Sequence, residues 1–121
     1  MKILIFTTLV TLSTYSYAFE SGDKIKCTDS VSSHTYLIKI VDIGDEEAYI
    51  KVETNLGNYF YPSSRVIFDE NSMGATFQML SSNNQEILEE IFLPYPTVNS
   101  EIIHGDYMDG GDSRGVECTI L

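Results

Sequence analysis

The chain has 121 residues, and seven basic against eighteen acidic residues give it a formal charge of −11. That length allows one domain with one core, burying roughly two-thirds of the unfolded surface. A field of this sign repels phosphate backbones and anionic headgroups, so nucleic-acid binding is disfavoured, whereas a basic protein, a cation or a neutral ligand is permitted.

Residues 1–18 carry one positive charge at Lys2, an apolar run over 3–12 and a small-residue exit with Ser16 and Ala18. These are the three parts of a secretory signal peptide, with Ser16 and Ala18 at the −3 and −1 positions of a cleavage site. The apolar run is too short to span ~30 Å of hydrocarbon as a helix. No later stretch stays apolar for the ~18 residues that a second span would need. The expected product is therefore a soluble domain over 19–121 in the periplasm or the extracellular space. Without Lys2 it carries six basic and eighteen acidic residues, a net charge of −12.

Residues 24–28 alternate, with Ile25 and Cys27 on one face and lysines and a threonine on the other. Residues 34–43 are rich in β-branched and aromatic residues and carry apolar side chains on both faces, which predicts a central strand. A turn at 44–46 leads into 48–54, where Ala48, Ile50 and Val52 share the inward face and Tyr49 and Lys51 the outward one. Another turn precedes Tyr59-Phe60-Tyr61, and Pro62 breaks that run. Val66 and Phe68, then Ala75, Phe77 and Met79, predict a hairpin turning at 71–74. The final run puts Val116, Cys118 and Ile120 on one face.

Residues 85–92 follow a different rhythm. Ile87, Leu88, Ile91 and Phe92 fall at helical spacing with Glu86, Glu89 and Glu90 opposite them, and Asn83 stands three residues before Glu86 as a capping box. The spacing predicts a short helix over 84–92. Residues 94–115, rich in proline, glycine and aspartate, read as the least ordered region. The expected architecture is mainly β: a small antiparallel barrel or sandwich of about six to eight strands, with that one short helix.

Cys27 and Cys118 fall on the apolar faces of the first and last strands. An even pair of cysteines in an exported chain predicts a disulfide. Closing a loop of 91 positions would remove about 4.6 kcal/mol of unfolded-state entropy in the chain-entropy model.

Chemistry-bearing motifs are sparse. Asp106, Asp109 and Asp112, in a glycine-containing segment, are the candidate ligands for a hard cation such as calcium. Met108 stands where an EF-hand loop needs an oxygen ligand. His34, His104 and Ser113 lie in no nucleophile motif, so no catalytic residue is assigned and no cofactor is expected. Tyr49, Tyr59 and Tyr61 are the candidate binding residues, since exposed tyrosines are common anchors for protein recognition. In plan the chain resembles the small periplasmic inhibitors of lysozyme: signal peptide, about one hundred residues, few-stranded barrel and terminal disulfide. That family's inhibitory loop carries Ser-Gly-x-x-Tyr. The nearest stretch here, Ser21-Gly22-Asp23-Lys24-Ile25, has isoleucine in place of the tyrosine, so no residue role is carried over.

The function expected from sequence is a non-enzymatic binding or inhibitory module that recognises a basic protein. A small secreted hydrolase or calcium-binding protein using the acidic 104–117 segment is the alternative. Mass spectrometry of the exported protein should find Phe19 at its N-terminus; intact Met1 in that soluble fraction would contradict the cleavage site.

Overall fold

The computed structural model describes residues 19–44, 48–55, 60–95 and 101–121. The signal segment expected over 1–18 and the candidate anchor Tyr59 lie outside the described residues. The strands are β1 (Lys24–Asp29), β2 (Thr35–Ile43), β3 (Ala48–Thr54), β4 (Phe60–Tyr61), β5 (Val66–Asn71), β6 (Gly74–Leu80), β7 (Ile87–Pro94), β8 (Ile103–Asp109) and β9 (Asp112–Ile120), with a short 3-10 turn at Ser63–Arg65. All pair antiparallel in one sheet, in the order β4-β3-β2-β1-β9-β8-β7-β6-β5, which curls into a nearly closed barrel. Among the described residues no helix is long and apolar enough to cross a membrane.

Successive hairpins build two halves, β1–β4 and β5–β9. The pairing that joins them in the sheet is β1 with β9, the ends of the chain. Cys27 and Cys118 stand directly opposite each other in that pair and are bonded, with Cα atoms 4.0 Å apart. The disulfide between first and last strands is thus present as the sequence predicts.

Alternation fills the lumen. Ile25 and Cys27, Tyr36, Ile38 and Ile40, Ile50 and Val52, Phe77 and Met79, Ile91 and Leu93, and Val116 and Cys118 form one buried cluster. Phe19 also joins this core, its ring 6.0 Å from that of Phe77 and 5.9 Å from that of Tyr95. This is the arrangement expected of a small barrel whose interior is just wide enough for side chains.

Two expectations are corrected. Nine strands form among the described residues, and the first correction is that 84–92 is not a helix. Residues 81–86 form the β6–β7 turn: Asn83 Oδ1 accepts from Ser81 Oγ and the Gln85 amide, Asn84 is left-handed at φ 60°, and the Ser81 amide donates to the Glu86 carbonyl. Asn83, read as a helix cap, therefore caps a turn instead. In β7 the side chains of Glu89, Ile91 and Leu93 share the inward face. The interval of charge and apolarity that mimics helical spacing arises because Glu89 faces inward at the barrel's end.

The second correction concerns 94–115, which holds β8 and the start of β9. Ile103, Gly105 and Tyr107 alternate inward on β8. Gly105 is required there because a Cβ would collide with the Phe92 carbonyl oxygen and the Leu93 side chain. Gly110 and Gly111 supply the two positive φ values, 57° and 121°, of a two-residue hairpin turn. The glycines that suggested disorder thus belong to a packed strand and its tight turn.

Candidate functional site

The inward face changes character toward one end of the barrel. Cross-strand pairing puts Tyr36 beside Cys27 and Thr54, Tyr61 beside Val52, Glu89 beside Met79, and Tyr107 beside Ile91 and Arg114. Tyr36, Tyr61 and Tyr107 are buried, and all three hydroxyls point at one carboxylate. Glu89 Oε1 accepts from Tyr107 at 2.7 Å and Tyr36 at 3.2 Å, while Oε2 accepts from Tyr61 at 2.6 Å. Strands from both halves are thereby tied across the lumen.

A carboxylate offers about four acceptor positions, and phenols occupy three of them. Glu89 is therefore a hydrogen-bond hub that joins three strands of the lumen. Burial, followed by hydrogen bonding to Tyr36 and Glu89 and the negative charge of Glu89, pushes the Tyr107 phenol far above its ordinary value. Burial likewise pushes Tyr36 up, to about 12.

Beside this hub lies an ion pair. Asp29 is fully buried at the end of β1, where Oδ1 accepts the Val31 amide at 2.8 Å and Oδ2 accepts Ser32 Oγ at 2.9 Å. Arg114 Nε approaches Oδ2 to 2.9 Å, but its N–H is not aligned for a hydrogen bond. Burial alone would raise the Asp29 pKa. The hydrogen bonds from Val31 and Ser32 together with the Arg114 charge outweigh it and hold the carboxyl below the ordinary aspartate value. The Arg114 guanidinium lies 5.0 Å from the centre of the Tyr107 ring, and that of Arg65 lies 5.2 Å from Tyr61. The chain's own arginines thus sit over two of the three tyrosine rings. Thr54 Oγ1 is buried there with no hydrogen-bond partner among the described residues.

The candidates named from sequence are dispersed. Tyr49 is half-exposed on the outer face of β3, but Tyr61 points into the barrel, so it does not share an exposed patch with Tyr49. Its neighbour Phe60 is the exposed one. Asp106 faces outward on β8, whereas Asp109, three residues on, lies on the opposite face of the strand, where its Oδ2 is 3.4 Å from the Tyr107 hydroxyl. Asp112 stands across the turn from Asp109. Among the described residues no group of three or more His, Cys, Asp or Glu side chains is placed to hold a metal ion. His104 pairs with Glu117, four residues along β9 from Ser113, and His34 lies in the β1–β2 connection. No catalytic constellation is formed by them.

Sequence reasoning missed Glu89, Asp29, Arg114 and the inward roles of Tyr36 and Tyr107. For Asp29, Tyr36 and Arg114 the signal that could have found them is parity, since each is in step with apolar inward positions on its own strand. The chain matches no family model, no curated protein and no solved structure.

These tyrosines set the alkaline limit of the fold. A phenol whose native pKa lies above its unfolded value of about 10 contributes stability fully present below pH 10. That contribution is lost as pH rises through the native value, here about 12 for Tyr36. Tyrosine absorbance and circular dichroism should therefore change together between about pH 10 and 12. Glu89→Ala, which removes the shared acceptor of three buried hydroxyls, should cost roughly 2–4 kcal/mol in chemical denaturation. Complete tyrosine titration near pH 10 with native circular dichroism, or a Glu89→Ala protein of unchanged stability, would contradict the hub.

Proposed function

We propose that this is an exported, non-enzymatic binding module that docks a basic protein on the outer face of β5–β9. The observation that carries the reading is the segregation of charge. Residues 66–121 hold ten carboxylates and a single basic residue, Arg114. That arginine is turned inward against Asp29 and Tyr107, so it does not offset the acidic exterior.

On this face Asp69, Asp106 and Glu117 are exposed, and Glu90 lies between Gln78 and Met108 on the neighbouring strands. Ile67 and Met108 are exposed among them. A rim of charge around apolar side chains is the composition that steers a partner and then holds it. The interior supports a binding role over an enzymatic one: its polar end is committed to a carboxylate that accepts from three phenols and to an internal ion pair. The disulfide is consistent with an oxidising location, and with the secretory signal read over 1–18 it supports export.

Lysozyme and cytochrome c, as basic probes, and neutral proteins of similar size can be compared by surface plasmon resonance. A basic protein should bind, with an association rate that falls at least tenfold between 50 and 300 mM salt. The triple variant Glu90→Lys, Asp106→Lys, Glu117→Lys should lose a comparable factor, with little change in melting temperature. Binding that is indifferent to salt, or that survives the charge reversals, would overturn this face as the docking surface.

A further inference from the structure

The outer face of β1–β3 differs from the rest of the surface. All four lysines of residues 19–121 are on it: Lys24 and Lys26 on β1, Lys39 on β2 and Lys51 on β3. They alternate with the buried Ile25, Cys27, Ile38, Ile40, Ile50 and Val52, so each projects away from the core. The register then aligns them: Lys24 is directly opposite Lys39, and Lys39 directly opposite Lys51. Like charges facing one another across strands are destabilising. Among the described residues Lys39 alone of the four has a counter-ion, Glu53 at 2.9 Å, and this pair remains partly solvent-exposed.

Such a row presents cations in a line across the strands at the interstrand spacing of about 4.8 Å. Tyr49, half-exposed, stands two residues from Lys51 on the same face. Two residues along from the lysine row, Lys26, Leu37 and Glu53 also face one another. Together with Thr35, Asn55 and Leu121 they line a groove of about 370 Å³.

We infer that this face binds a linear anionic polysaccharide carrying one carboxylate per sugar, laid across β1–β3 with its carboxylates on Lys24, Lys39 and Lys51 and a sugar ring against Tyr49. The spacing of the row is close to the length of one pyranose unit, so successive sugars reach successive lysines. An aromatic ring face beside the row suits the apolar face of a pyranose and gives nothing to a bare carboxylate chain. The overall negative charge does not forbid this, because screening over about 8 Å at physiological salt lets the local row act apart from the carboxylates on β5–β9. The inference is independent of the basic-protein reading, which concerns the other half of the barrel.

The probe is a fluorescently labelled galacturonate hexamer, titrated into the full exported protein at 150 mM salt. It should bind saturably, and its methyl ester, which lacks the charges, should not. The Lys24→Gln, Lys51→Gln double variant should bind about tenfold more weakly, while its melting temperature is unchanged or raised by relief of like-charge repulsion. Tyr49→Ala should weaken binding severalfold, and Asp106→Lys should leave it no weaker. Absence of hexamer binding, equal binding of the methyl ester, or undiminished binding by the lysine variant would overturn the inference. Tighter binding of a polyglutamate peptide or of anionic phospholipid vesicles at equal charge would overturn the polysaccharide as the occupant.

Discussion

Cys27 on β1 and Cys118 on β9 face each other in the strand pair that joins the two ends of the chain, and everything else in the barrel hangs from that pairing. Within each half, neighbouring strands are linked by hairpins, so their pairing is local and costs little loop-closure entropy. The β1–β9 pair has no such help. It must bring together residues 91 positions apart, and the covalent bond removes most of that cost from folding. Once β1 and β9 are joined, the two halves face a common lumen. Tyr36 and Tyr61 from one half can then reach Glu89 and Tyr107 from the other.

Much of this was legible because strand parity leaves a trace whenever one face is apolar. Residues 24–28, 48–54, 66–79 and 116–120 showed their inward faces directly, and the cysteines fell on two of those faces. Parity failed where the inward face is polar or empty. Glu89 interrupts the apolar rhythm of β7, and with Glu86 and Glu90 beside it the strand reads as an amphipathic helix. Gly105 has no side chain to mark the inward face of β8, because the Phe92 carbonyl occupies the space. The candidate site was hidden for the same reason: Tyr61 is indistinguishable in sequence from an exposed anchor, and only the hydroxyls of Tyr36 and Tyr107 converging on the same carboxylate explain its burial.

Charge is partitioned in the same economical way. The two arginines are drawn inward, one beside a buried aspartate and both over tyrosine rings, where a planar delocalised cation is easier to desolvate than an ammonium. The lysines are kept outside on β1–β3, and the outer face of β5–β9 is left acidic. With the interior filled by side chains and the sides oppositely charged, both proposed binding roles fall to the surface. The two proposed ligands, a basic protein and an acidic polysaccharide, use different sides and need not compete.

The central claim is that the two halves form one cooperative unit because β1 and β9 hold them together. Native-state hydrogen exchange of the oxidised protein across a denaturant series tests it most directly. The most protected amides of β1, β2, β8 and β9 should converge on one free energy, equal to that of global unfolding. If the β5–β9 amides instead open at a distinctly lower free energy while β1–β3 stay protected, the halves are separate folding units and the account is contradicted.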